Sequence, residues 1–375
     1  MTDDLAPLAI DGGQPLREQP YPLAPPIEPV VDADPVAVLE QELARVLGVP
    51  RECVVAVGSA EQAWRALLGA ALESRSTDQR REVIIPAVLG QPAAAAAQEL
   101  GCAVVPAEVD ANTAALSARG LARAIGPRSV VAVAVHAFGH PAPFEELARV
   151  ANDREVLLVE DASGALGASL RGIPAGRMGE GAVLAIGRHR SLTGGSTDDD
   201  AGALLVLRDP GRATSLRAHR DAASLDEQVA RIALAEIRQL DATLEARRRL
   251  AWELTFNLRG DRAVSGMPHG RWIRHAYPRY VVRLRGILWK RGLPETLDAI
   301  RAEGVECEAA LGAPLYLEPA VRAALEGDER LAEEHFAAAA RLPGELIAIP
   351  LHEGLTSRDM DDVAAVLRKV ERWSV

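Results

Sequence analysis

The feature that most constrains this chain is a series of short apolar runs that do not alternate with polar residues, separated by segments of helical period. The runs fall at 53–57, 83–85, 103–106, 130–135, 156–159, 182–186 and 203–207. A strand that is apolar on both faces belongs to a sheet covered by helices on each side, and such sheets are mainly parallel. Between the runs, apolar spacing predicts helices over 35–47, 60–72, 91–100, 121–125 and 144–151. Asp34 before Pro35 is a helix start, Gly48 is a stop, and Ser59 reads as the N-cap of the second helix.

Beyond the last run a charged helical segment spans 226–258 and leads to a pattern of mixed type. That pattern holds a strand at 276–284, a helix entered at Pro294, an edge segment at 313–317, a short strand at 346–349 and a closing helix from Ser357. The predicted organisation is a Pro-rich arm (1–30), a large α/β domain (31–225), a connecting helix (226–258) and a small C-terminal α+β domain (259–375).

Composition narrows the function classes. With 375 residues, 48% of them hydrophobic, the chain can bury a large core. A formal net charge of -11 argues against nucleic acid or an anionic membrane as the main partner, since no basic face stands ready to release counterions. No apolar run approaches the roughly 18 residues a membrane span needs, and the N-terminus does not read as a leader, so a cytoplasmic location is expected. Cys53, Cys102 and Cys307 lack ligand spacing and read as buried thiols.

Ligands of such sheets sit beyond the strand carboxyl ends. Ser59, Gln91, His136, Asp161 and Arg190 all fall there. Asp161 has two readings: an acid–base group with a pKa raised by burial, or a structural carboxylate paired with Arg190. Arg188, His189 and Arg190 form either an anion site or a plug. Asp161, His189 and Arg190 are the catalytic candidates, and Ser59, Glu61, Gln91, His136, Ser163 and Arg188 are the ligand-binding candidates. His136 and His140 lack an acidic third ligand, and VGSAE around Ser59 lacks a nucleophile elbow, so neither a metal site nor a hydrolase is expected.

The lysine inventory bears on the chemistry. Among 42 basic residues the lysines are Lys290 and Lys369. A guanidinium stays charged and cannot condense with an aldehyde, so a site that carries arginine in place of lysine offers no Schiff-base chemistry unless a partner chain supplies the amine.

Seven blocks in order, LAIDGGQPLR, VAVGSAEQAWRALL, VHAFGHP, EDASGALGASLRG, LTGG, ARIALAEIRQLD and LPGELIAIPLHEGLT, resemble the DegT/StrS family of sugar aminotransferases. The resemblance implies the aspartate-aminotransferase fold and a dimer with its sites at the subunit interface. It places the carboxylate that faces the pyridine nitrogen of pyridoxal phosphate (PLP) at Asp161, and the Schiff-base lysine at Arg190. By the same resemblance the phosphate-binding Gly-Thr pair falls at Ala60 and Glu61, the ring-stacking aromatic at Gly90, a Gln at Gly164 and a phosphate-binding Ser at Ala185. The Asn and Arg that reach the neighbouring site fall near Ala222 and Ser224. A one-residue slip would put His189 at the lysine position, as in dehydratases of the family.

The resulting expectation is an aminotransferase-like protein of amino-sugar, aminocyclitol or antibiotic biosynthesis that uses no PLP. It would be a pseudoenzyme partner of an active paralogue, as a homodimer or heterodimer. The alternative is a repurposed, PLP-independent enzyme doing acid–base chemistry on a sugar-nucleotide or carbocyclic substrate.

Overall fold

The computed structural model describes residues 7–75, 81–187, 200–218, 224–268, 270–285, 289 and 292–374. The seven apolar runs form one sheet. Its strands are β1 (Val54–Val57), β2 (Glu82–Pro86), β3 (Ala103–Ala107), β4 (Ser129–Val135) and β5 (Leu157–Asp161). After a small hairpin of β6 (Ser169–Leu170) and β7 (Ile173–Pro174) come β8 (Gly181–Gly187) and β9 (Asp200–Leu207). The order is β1-β9-β8-β5-β4-β2-β3; β3, β2, β4, β5 and β8 are mutually parallel, while β9 runs against both β8 and β1. β1 therefore points the same way as β8.

Helices cover both faces, which is why the strands need no polar side. The connecting helices are α1 (Pro35–Leu47), α2 (Ala60–Arg75), α3 (Gln91–Glu99), α4 (Ala118–Ala124) and α5 (Phe144–Asn152). On one face Val83, Val131, Val133 and Val159 pack with Trp64 and Leu68 of α2 and Ala93 and Ala97 of α3. On the other, Leu184 and Ile186 meet Leu39 and Leu43 of α1, and Ile84 and Leu158 meet Leu121 and Leu147 of α4 and α5. Each such fully buried Leu or Ile contributes about 1.5–3 kcal/mol. Cys53, Cys102 and Cys307 are buried free thiols.

Past α6 (Pro210–Ala218), the single long helix expected over 226–258 is two helices, α7 (Glu227–Arg238) and α8 (Leu240–Asn257). The break is at Gln239, whose ψ of 1° leaves the helical value. It reorients the chain between two cores. α7 and the first turns of α8 bury Leu234, Ile237, Leu240 and Leu244 in the large domain, whereas Leu250, Ala251 and Leu254 enter the C-terminal core.

The C-terminal part contains β10 (Val264–Gly266), β11 (Ile273–Arg274), β12 (Arg279–Leu284), α9 (Leu293–Ala302), β13 (Glu308–Ala309), α10 (Pro319–Ala324), α11 (Ala337–Arg341), β14 (Leu346–Pro350) and α12 (Ser357–Ser374). An antiparallel sheet of order β10-β12-β14-β13 shares its core with α8, α9 and α12, and β11 adds to the β6–β7 hairpin. The strand expected from 276 begins only at Arg279. Ala276 N–H donates to Gly139 O (3.0 Å), and Tyr277 adopts φ +50°, so the chain docks on the large domain before it turns into β12.

The edge segment expected at 313–317 is instead a 3₁₀ turn, Leu315–Leu317. Leu315 N–H donates to Ala87 O (2.7 Å), and Leu315 and Val321 enter the core of the large sheet. The arm lies over the C-terminal core, into which Leu8 and Tyr21 are buried. Among the described residues no helix is long and apolar enough to cross a membrane.

Candidate functional site

Because β1, β2, β4, β5 and β8 run in one direction, their carboxyl ends share one edge of the sheet. The chain leaving β1 meets Ser59, that leaving β2 meets Gly90 and Gln91, that leaving β4 meets His136, and β5 ends at Asp161. The edge is thus the one the sequence points to.

Asp161 is 6% exposed. Its Oδ1 accepts the Ser163 N–H at 3.0 Å, and Ser163 Oγ accepts the Ala185 N–H at 3.0 Å, so Ser163 ties the end of β5 to β8. Burial pushes the Asp161 carboxyl above its ordinary value, opposed by its hydrogen bonds to Ser163 and by His136.

His136 and Glu160 are both fully buried and do structural work. His136 Nδ1 accepts the Ala142 N–H (2.9 Å), which leaves Nε2 to donate to Glu160 Oε2 (2.8 Å). Glu160 also accepts from Gly176 N (2.7 Å), Met178 N (2.6 Å) and Gly179 N (2.7 Å). Since successive strand residues face opposite sides, Glu160 serves the side away from Asp161. Glu160 pins the loop after β7, a role no local spacing announces.

The remaining candidates lie at the rim. Ser59 Oγ caps α2 by accepting the Gln62 N–H at 3.1 Å. Glu61 is half exposed and pairs with Arg65 one turn on (3.2 Å), which offsets its charge at the helix start. Gln91 is exposed in the first turn of α3. At Gly90, φ is +90° and a Cβ would stand 2.8 Å from Ile85 Cγ2, so no aromatic fits there without displacement. Arg188, His189 and Arg190, with the LTGG turn, Ala222 and Lys290, lie outside the described residues, and so does the expected Asp161–Arg190 pair. Among the described residues no group of three His, Cys, Asp or Glu could hold a metal ion.

A sequence model of the DegT/DnrJ/EryC1/StrS aminotransferase family matches residues 31–368. GDP-perosamine synthase of Caulobacter vibrioides is 28% identical over 307 residues, covering 77% of this chain and 79% of that protein. An L-glutamine:2-deoxy-scyllo-inosose aminotransferase of Streptomyces fradiae is 30% identical over 228 residues, covering 55% and 51%. The crystal structure of DesI in the presence of its TDP-sugar product superposes with a TM-score of 0.79 at 22% identity, covering 96% of this chain and 95% of that one.

These matches correct one expectation. The family is PLP-dependent, of fold type I, so PLP is the cofactor expected of this chain and its absence is not. The physical reason is that a cofactor is gripped redundantly. A buried carboxylate, Asp161, stands at the end of β5, and changes of side chain at Ala60 and Glu61 leave the main chain of α2 in place. Among the described residues the one lysine, Lys369, is engaged in the C-terminal part of the chain.

Proposed function

The chain belongs to the DegT/DnrJ/EryC1/StrS aminotransferase family, and from that premise we propose that it serves amino-sugar or aminocyclitol biosynthesis as one subunit of a pair, joined to a lysine-bearing homologue. PLP is the cofactor of that pair. The homologue would supply the amine for the PLP aldehyde, because the resemblance puts Arg190 where a lysine is needed and a guanidinium cannot do this chemistry. In this chain Asp161 would hold the ring nitrogen, with the Ser163 N–H keeping its carboxylate in place, and the start of α2 would face the phosphate. The named relatives, which make GDP-perosamine and act on 2-deoxy-scyllo-inosose, support a keto-sugar or keto-cyclitol as the substrate class.

The observation that carries this reading is the inventory of two lysines, of which the described one, Lys369, is held in an ion pair with the buried Glu303. The test is to express the chain alone and together with a lysine-bearing homologue, then measure complex formation and transamination with PLP supplied. The pair should associate and turn over, and the chain alone should not. Turnover by the chain alone, or no association with the homologue, overturns the reading.

A further inference from the structure

A groove of about 230 Å³ opens between α8 and β11, and none of the candidate residues at the end of β5 lines it. His275 and Tyr277, both buried, stack in it with ring centroids 3.7 Å apart and planes 7° from parallel. Trp252, 62% exposed, also lines it and is steadied by stacking on Phe256 at 5.7 Å.

Arg248 and Arg274 complete the lining. Arg248 is fixed by two donations to neutral carbonyls, Nε to His275 O (2.8 Å) and Nη2 to Gly167 O (2.9 Å), so neither bond cancels its charge. Among the described residues no carboxylate forms an ion pair with Arg248 or Arg274. Asp241 acts on Arg248 only through its field, while burial and the Arg274 charge both work against the Arg248 cation. In a chain of net charge -11, these two guanidinium groups, ion-paired to no carboxylate among the described residues, make with the exposed indole beside them a local positive field with an aromatic wall. A phosphate satisfies the first and a planar ring the second.

We propose that this groove binds an aromatic phosphate of nucleotide size, with the phosphate between Arg248 and Arg274 and the ring stacked on Trp252. The site is independent of the reading given to Asp161.

Calorimetric titration of the whole chain with AMP, adenosine and inorganic phosphate tests it. AMP should bind once per chain, and more tightly than either half. Arg274→Gln and Trp252→Leu, both at exposed positions, should each weaken AMP by about tenfold, whereas Asp161→Asn should bind it like the unchanged chain. Sedimentation should show the same assembly for Trp252→Leu and the unchanged chain. The proposal is overturned if AMP does not bind, if phosphate alone binds as tightly, or if AMP is insensitive to Arg274→Gln and Trp252→Leu. It is equally overturned if Asp161→Asn abolishes AMP binding, or if Trp252→Leu changes the assembly, which would make the groove a contact between chains.

Discussion

Lys369 Nζ lies 2.8 Å from Glu303 Oε1, and Glu303, which is fully buried, also accepts the Ala9 N–H (2.9 Å) and the Leu16 N–H (2.8 Å). Lys369 further donates to Gln14 O at 3.0 Å. One of the chain's two lysines therefore staples the N-terminal arm to α9 and α12, at a place remote in the fold from the end of β5.

Glu303→Ala leaves a partly buried ammonium without its counter-charge and two arm N–H groups without their acceptor, and should cost about 2–4 kcal/mol. Lys369→Met leaves Glu303 its two N–H donors and should cost less, about 2–3 kcal/mol. Urea unfolding of the two variants checks the order. Borohydride reduction in the presence of PLP, followed by peptide mass analysis, should leave Lys369 unlabelled.

The large sheet was legible because each of its strands is buried on both faces, and residues such as Val131, Val133, Val159 and Val183 can only belong inside a two-sided sandwich. Asp161 was legible because it ends such a run. The break at Gln239 was not, since glutamine is a good helix former and only the need to serve two cores interrupts the helix there. Nor was the return of Leu315 and Val321 to the large sheet, because apolar periodicity does not say which core a residue enters. The partnership of His136 with Glu160, 24 residues apart, and the three N–H groups that Glu160 collects depend on strand pairing and loop placement that no local spacing encodes.

Arg330 ties the returning segment to the sheet through paired bonds to both oxygens of Glu82, each 2.9 Å. Burial pushes the Glu82 carboxyl up, but the hydrogen bonds and charge of Arg330, with Arg128 and Ser129, outweigh it and hold the group below its ordinary value of 4.5. A folded-state pKa below the unfolded one stabilises above that ordinary value and is lost as pH falls through and beneath it. Arg330→Met should therefore cost about 2–4 kcal/mol at neutral pH, with the deficit shrinking in acid. Thermal unfolding of both proteins between pH 7 and pH 3 measures the convergence.

Asp161 has the opposite sign. Its folded-state pKa is raised, so the folded chain binds the proton more tightly than the unfolded chain does, and stability falls as pH rises above the ordinary aspartate value of 3.8. Asp161→Asn keeps an oxygen for the Ser163 N–H and removes the buried charge. It should stabilise the chain alone at pH 7, with the gain vanishing towards pH 3. In the pair with a lysine-bearing homologue, the same variant should retain PLP less well, because a neutral amide no longer matches a ring N–H⁺. A variant less stable than the parent at pH 7 would mean that Asp161 is already paired with a cation there.

Gly90 sits where the family resemblance places a ring-stacking aromatic, and its geometry decides what can be restored. Its φ of +90° is strained for any L side chain, and a Cβ would stand 2.8 Å from Ile85 Cγ2 in the core of the sheet. Gly90→Tyr should therefore destabilise the chain by about 1–3 kcal/mol through strain and overpacking, and should not tighten PLP in the pair. Ile85→Ala removes the clashing methyl but not the backbone strain, so in the double variant Gly90→Tyr should cost less than it does alone while the φ strain remains. Denaturant melts of the two single variants and the double variant, read as a double-mutant cycle, separate steric overlap from φ strain. A coupling near zero assigns the cost to φ, and a favourable coupling of about 1 kcal/mol or more assigns it to Ile85.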